Sequence, residues 1–589
     1  MTYQAPVEDI LFALDSAVGV DGLIKSGIYD GLDKDTIAAV IAEAGKFGAE
    51  VLDPLNTVGD KQGSTIRDGV VTTPQGWKAA YDQYVAGGWA ALPAPTEWGG
   101  QGLPAIVAMA TNEIWNSSNL SFGLGPLLTH GAIDALMVAG SDELKRVYLP
   151  KMSSGEWMGT MNLTEPHAGT DLGHIRTKAV PQGDGTYRLF GTKIFITYGE
   201  HDLTSNIIHM VLARLPDAPA GTRGISLFLV PKFLVEADGS LGARNDVVAA
   251  GLEHKLGIHA SPTCVMKYGE KDGAVGYLVG ELNHGLNAMF IMMNLARLAV
   301  GVQGVGLAER ATQRAVAYAK ERRQGRTASS KAGEMGPIIE HADIRRSVMT
   351  MRALTQAARA ICLVTARELD IAHLAKSEVD RKAATNKSAL LTPIAKAFST
   401  DIGVEVASLG LQIHGGMGFI EETGAAQHYR DARILPIYEG TNSVQAIDLV
   451  TRKLPLEGGK VMMAYLAELE ETVKEIEASN QPSFGMMGAR LGAAVKSLKD
   501  ASIWMGKMLQ SNPEAALAGA TPYLRLFGLA AGGHYLARGA LTAVRGGSAS
   551  QAHYVVLARF FAEHLASAAP GIAETIMTGA DAVLDAKVG

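Results

Sequence analysis

Cysteine is almost missing from this sequence: Cys264 and Cys362, each among apolar neighbours, are the only two in 589 residues. That excludes a disulfide framework and a cysteine metal site, and leaves two small core residues suited to a reducing compartment. A large excess of one charge is missing too. With a net charge of −7, the chain shows no whole-molecule footprint for nucleic acid or an anionic membrane. No apolar stretch of ~18 residues runs without a charged or strongly polar interruption, and Met1–Asp9 lacks both a basic and an apolar segment. The expectation is a cytoplasmic protein with no membrane partner. His, Asp and Glu are scattered without metal-ligand spacing, so no metal is expected.

What is present is ordinary for packed domains: 47% hydrophobic and 19% charged residues, over a length that suits three or four of them. From Val7 to about Gly155, apolar residues recur at helical spacing, as in Ile37–Ile41 and Ile106–Met109, predicting an N-terminal helical domain over 1–155. Over 156–280 the texture changes to short β-rich runs, Tyr187–Phe190, Lys193–Thr197, Ile207–Ala213, Gly224–Val230 and Cys264–Tyr268, separated by Gly, Asp and Pro turns. This predicts a compact antiparallel β-domain. Helical periodicity returns through Leu286–Arg322, Asp343–Leu374, Thr385–Leu409 and Gln445–Leu454, lengths that suit a four-helix bundle over 281–455. An Ala/Met/Leu-rich segment then predicts an additional C-terminal helical domain over 460–589. The fold class is mostly α with a central β-domain.

Chemistry concentrates in a few segments. In Ile437-Tyr438-Glu439-Gly440-Thr441-Asn442-Ser443, one carboxylate precedes a candidate helix cap and the amphipathic run Val444–Leu454. A base there faces the positive end of a helix dipole, while aromatic and apolar neighbours keep it poorly hydrated. By itself the segment also reads as a plain turn before a helix. The loop Leu163–Asp171 crowds hydroxyls, a carboxylate and backbone donors, either to grip a polar ring edge or as an ordinary turn. Alternation along Lys193–Thr197 places Phe195 and Thr197 on one face, where they back a flat heterocycle or enter the core. Gly301–Gly306 has the wrong spacing for a dinucleotide loop and lies inside a helical pattern, so its glycines are assigned to helix contacts. Gln412–Gly418 interrupts the bundle and offers backbone amides to a phosphate, with His414 as a structural hydrogen-bonder.

Taken together and in this order, these segments resemble the acyl-CoA dehydrogenase family across roughly residues 80–455. The resemblance is carried by Tyr148-Leu149-Pro150, Thr164–Asp171, Lys193–Thr197, Asn294 to Arg297, Tyr318 with Glu321-Arg322, Gln412–Gly418 and Tyr438–Ser443. It implies an acyl-CoA dehydrogenase-like fold, FAD as cofactor, an acyl-CoA substrate, an electron-transferring flavoprotein as acceptor, and a homodimer. It implies Glu439 as catalytic base. FAD contacts are implied at Leu163, Thr164, Gly169, Thr170, Phe195, Ile196, Thr197, Arg322, Gln412, Gly415, Gly416, Thr441 and Ser443. Substrate contacts are implied at Thr170, Asn294, Arg297, Tyr438 and Gly440.

The chain departs from the family pattern in places. Phe195 stands where Trp is common, Glu321–Gly325 is one residue shorter than the usual form, and Asn294 replaces an acid. Ala296 occupies the position that carries the base in a few members, and it cannot accept a proton. The start Gln4–Phe12, the segment Leu252–Cys264, the Met-rich run Asn287–Asn294 and the added C-terminal domain resemble the branch acting on 3-methylmercaptopropionyl-CoA in dimethylsulfoniopropionate breakdown. Medium- or long-chain fatty acyl-CoA is the alternative substrate. A DNA-associated alkylation-response flavoprotein is the alternative of another class, but Lys460–Gly589 holds eleven basic and eleven acidic residues and lacks the basic surface that phosphate binding needs.

Overall fold

The computed structural model describes residues 3–331 and 333–587. They fall into two compact units, one of Met1–Lys46, Ala105–Ser117 and Arg297–Gly589, the other of Phe47–Pro104 and Ser118–Ala296.

The second unit is built on a sheet. A hairpin, β1 (Thr65–Arg67) and β2 (Val70–Thr72), precedes it, a small β element inside a stretch expected to be all helical. The main strands are β3 (Trp157–Asn162), β4 (Lys178–Pro181), β5 (Thr186–Thr197), β6 (Asn206–Ala213), β7 (Ser226–Pro231), β10 (Val247–Leu252), β11 (Thr263–Tyr268) and β12 (Ala274–Val279), with β8 (Phe233–Val235) and β9 (Leu241–Arg244) as a separate pair. The order is β10-β11-β5-β12-β7-β6-β3, and β4 also pairs with β5. Every pair is antiparallel except β3 with β6, which is parallel. More than forty residues separate these two strands, enough chain for the crossover that a parallel pair requires. The two runs expected at 187–190 and 193–197 are one strand, because the Gly191 that separates them continues the ladder opposite Tyr268. Leu189, Val211, Phe228, Val230, Cys264 and Met266 fill the inner face.

In the first unit three long helices, α1 (Gly285–Glu321, which begins in the other unit), α2 (Ala342–Leu374) and α3 (Glu378–His414), are followed by the short helix α4 (Asn442–Asp448). Helix α4 continues as a π-helical turn, Leu449–Lys453, and α3 starts seven residues earlier than its apolar period suggested because Ser377 caps it and accepts from Asp380 N. Helix α1 and the helix Leu120–Ala139 are long and apolar enough to cross a membrane, yet 72% of each apolar window is buried inside the protein. His130 and Asp134 interrupt the second.

The C-terminal helices include α5 (Ala520–Gly546), whose Tyr523 and Phe527 pack with Tyr465 in an aromatic core; the Tyr465 and Phe527 rings stack at 5.4 Å. Gly528 of α5 lies against the Phe398 ring of α3, and Arg525 pairs with Glu405 at 2.9 Å. Both cysteines are free and buried, and burial pushes each thiol up to about 12, as small inert core residues require.

Helices α1 and α3 touch through glycine, as the sequence suggested for Gly301–Gly306. A Cβ on Gly301 would sit 2.3 Å from the Ala395 carbonyl oxygen, and one on Gly304 2.3 Å from that of Ser399. Gly304→Ala is therefore expected to cost ~1–3 kcal/mol by overpacking, read as a lower urea midpoint. Gly571→Ala, where an added Cβ meets nothing within 4 Å, serves as the control and should be neutral or slightly stabilising. Equal midpoints for both variants would contradict this account of the helix contact.

Candidate active site

Polar side chains gather beside the close approach of α1 and α3, in an otherwise apolar bundle. Thr441 caps α4, its hydroxyl accepting from Val444 N at 3.4 Å. Just before the cap the backbone turns left-handed twice, at Glu439 (φ 58°) and Gly440 (φ 84°). Glycine tolerates this, while a glutamate there costs about 1–2 kcal/mol, strain of the kind that collects at functional sites. A Cβ on Gly440 would meet Gln445 Nε2 at 2.6 Å and Arg297 at 3.9 Å, so the turn is wedged between α4 and α1.

Glu439 keeps part of its residue surface open, yet its carboxyl group is set deep. Burial pushes that carboxyl up to about 7, against the pull of Arg297 and Lys396. Arg297 is buried on α1; burial lowers its affinity for its proton, and Asp448 and Glu439 hold the charge in place. Tyr438 donates its hydroxyl proton to Gln303 Oε1 of α1. Arg297, Tyr438, Glu439 and Gly440 are thus brought together, with Thr441 as the cap and Ser443 exposed one turn on. Asn294 is exposed three residues before Arg297 on the same helix.

A second cluster forms where α1 and α3 end. The Tyr318 and His414 rings stack at 4.5 Å, and His414 Nδ1 lies 2.7 Å from the Gly410 carbonyl oxygen, the structural role expected for this histidine. This brings the exposed Arg322, which hydrogen-bonds Gln324 at 3.3 Å, to the same end of the bundle as Gln412, Gly415 and Gly416. Gly415 and Gly416 are exposed, with nothing within 4 Å of the space a Cβ would take, so a ligand can approach their backbone closely.

The third cluster lies on the sheet unit. Lys193, fully buried, donates to the Leu163 carbonyl and to Glu165 Oε1, each at 2.9 Å, while Ile194 N donates to the Thr164 carbonyl at 2.9 Å. Glu165 also accepts from Arg176 N and from Thr177 N and Oγ1. Burial pushes its carboxyl up, but Lys193 and these donors outweigh it and leave it below the usual range; burial brings Lys193 down to about 8. The loop's carboxylate is thus spent on holding Leu163 and Thr164 to β5, and Gly169 and Thr170 project beyond it, exposed.

Phe195 is 59% exposed with φ at 61°, while Ile196 is buried. The ladder with β11 shifts register here: one residue opposes two, a bulge at Ile194–Phe195. Strict alternation from Lys193 to Thr197 is therefore broken, and the bulge turns the Phe195 ring outward instead of into the core beside Lys193. An exposed aromatic on a rigid bulge suits a flat ring system, and open glycines at 415 and 416 suit a pyrophosphate. On both counts the residues fit FAD.

The sequence reading missed Lys396, Asn442, Gln303 and Gln445. Lys396 is fully buried on α3, its Nζ donating to Asn442 Oδ1 at 2.9 Å. A lone lysine in the apolar stretch Ile394–Phe398 was the available signal. The Met-rich run proves to be core in part: Met289 and Met292 are fully buried, and Met292 closes on Gly131.

Comparison with known proteins points to one family. The patterns described as the N-terminal, middle and C-terminal domains of acyl-CoA dehydrogenase match residues 35–156, 160–269 and 283–454, and one described as acetyl-CoA dehydrogenase C-terminal like matches 465–587. The chain is 49% identical to 3-methylmercaptopropionyl-CoA dehydrogenase of Ruegeria pomeroyi over 92% of each chain, and 35% identical to a butyryl-CoA dehydrogenase of Syntrophomonas wolfei over 89% of this chain and 87% of that one. In fold it is similar to Caenorhabditis elegans ACDH-11 in complex with C11-CoA (TM-score 0.80, 20% identity, 100% of this chain and 96% of that one). It is also similar to an acyl-CoA dehydrogenase of Bacillus anthracis complexed with FAD (TM-score 0.74, 21% identity, 94% and 89%). Sheet, bundle, appended helices and these matches along the whole length lead to one assignment: the chain belongs to the acyl-CoA dehydrogenase family, FAD-dependent oxidoreductases acting on CH–CH bonds.

Proposed function

We propose that this protein oxidises 3-methylmercaptopropionyl-CoA to 3-methylthioacryloyl-CoA, with Glu439 as the base. One observation carries the chemistry: a poorly solvated carboxyl on a strained turn, flanked by the buried bases Arg297 and Lys396, with its proton affinity raised into the neutral range. The 49% identity to the Ruegeria enzyme supports the substrate.

The α-hydrogen of a thioester is a weak acid, and the protein has two means of taking it. The Glu439 carboxylate, stripped of water, is a stronger base than a surface glutamate, and a pKa near the working pH balances ionised fraction against basicity. We assign the Glu439 backbone N–H to the thioester carbonyl, where it steadies charge developing on oxygen. Bound FAD supplies the two-electron acceptor to which the β-hydrogen passes as hydride. Arg297 stays charged beside the site and keeps the ionised base from being penalised further. Phe195, the Thr164 loop and Thr197 are assigned to the flavin ring; Arg322, Gln412, Gly415 and Gly416 to the pyrophosphate and adenosine, shared across a homodimer; Thr441 and Ser443 to a further FAD contact. Asn294, Thr170, Tyr438 and Gly440 are assigned to the acyl-CoA. An electron-transferring flavoprotein is the proposed acceptor, in the cytoplasm.

Glu439→Gln is expected to retain yellow FAD yet lose flavin reduction by acyl-CoA by at least ~10³-fold; near-normal bleaching refutes the assignment. Because the base works ionised, kcat/KM should rise with pH and level off above an ionisation near the value of about 7 set by burial; a limb at the ordinary glutamate position contradicts the desolvation argument. Among CoA thioesters, the 3-methylmercaptopropionyl form should bleach flavin fastest. Faster bleaching by butyryl- or octanoyl-CoA would overturn the substrate proposal while leaving the base intact.

A further inference from the structure

We infer that Lys396 is a positioning residue for the reaction: seated under the Glu439 turn and bonded to Asn442, it favours the ionised base and fixes the start of α4. The inference rests on Glu439 being the base. A lysine in the middle of a bundle helix is costly unless its charge is used. Lys396 is completely buried, and its Nζ is directed at Asn442 Oδ1, 2.9 Å away, three residues after Glu439. Asn442 is held in turn: its Nδ2 lies 2.7 Å from Asp401 Oδ1, 3.0 Å from Thr400 Oγ1 and 3.1 Å from the Ala397 carbonyl oxygen, all on α3. One residue thus ties the turn and cap of α4 to one turn of α3, with the ammonium group at the centre.

Charged groups surround the pair on every element packed there, most of them acting on Arg297 or Asp401. From α1 comes Arg297; from α3, Lys396, Asp401 and Glu405; from α4 and its continuation, Asp448, Arg452 and Lys453; from α5, Arg525. Of these, Arg297 and Lys396 pull the Glu439 proton off; burial brings Lys396 down to about 7, and Glu439 and Asp401 favour its charge against that loss. Arg297 is already assigned beside the substrate. Lys396 reaches the base from the opposite helix, and nothing in the reaction consumes its proton, so its contribution is electrostatic and geometric. Helix α5 of the C-terminal region backs this arrangement, with Gly528 against the Phe398 ring and Arg525 on Glu405.

The test follows flavin reduction by acyl-CoA in single turnovers of the FAD-loaded enzyme across pH, in wild type, Lys396→Met, Lys396→Gln and Lys396→Arg. Removing the charge should move the acid limb to higher pH by about one unit, roughly a tenfold loss below the limb, with the plateau at high pH largely recovered. Lys396→Gln keeps a donor for Asn442 and serves where the Met variant does not fold. Lys396→Arg, whose charge cannot be lost, should return the limb to its wild-type position or below. An unmoved limb in a neutral variant that binds FAD, with a uniform loss at all pH values, overturns the proposal. Failure of all three variants to bind FAD makes Lys396 a structural residue only and overturns it too. Glu439→Gln separates the two readings: if it is inactive while the Lys396 limbs do not move, this inference alone fails, and if it is active, the base assignment fails first.

Discussion

A carboxylate held away from water between two cations is the constraint on which this molecule turns. Left alone at that depth, Glu439 would stay protonated and inert; fully solvated, it would be too weak to take a hydrogen from carbon. Burial raises its proton affinity to about 7, and Arg297 and Lys396 keep the rise from going further. Glu439 in turn favours the charge of both, although Arg297 opposes the charge on Lys396.

That balance explains features of the bundle that packing alone does not. Helices α1 and α3 must come close enough to set Arg297 and Lys396 on either side of one turn, and Gly301 and Gly304 permit it by leaving room for the Ala395 and Ser399 carbonyls. The turn must present Glu439 in a left-handed conformation, and the Thr441 cap, Asn442 and the Gly440–Gln445 contact hold it there. A similar solution recurs in the sheet unit, where buried Lys193 and Glu165 hold a loop to a strand beside the outward-turned Phe195.

Much of this was legible in the sequence. Helical and strand periods located the long helices and most of the strands, and Gly301–Gly306 was correctly assigned to helix contacts. Glu439 stood out because a turn, a cap and an acid were adjacent. The rest was hidden for physical reasons. The Phe195 bulge depends on its pairing with β11, so alternation along a single strand separates Phe195 from the buried Ile196 but does not reveal that the ring parts from Lys193. The parallel β3–β6 pair depends on a crossover whose closure no local signal records. Lys396 was marked only by its apolar neighbours Ile394–Phe398; its partner Asn442 lies forty-six residues on and meets it only in the folded chain.

The central claim is a proton taken from carbon by one glutamate, and it is open to direct measurement. With an acyl-CoA analogue that cannot lose a β-hydrogen, exchange of the α-hydrogen in deuterated water can be followed by NMR on the FAD-loaded protein. The account predicts α-deuteration that rises with pH through about 7 and is abolished in Glu439→Gln. Exchange at the same rate in wild type and Glu439→Gln would contradict it.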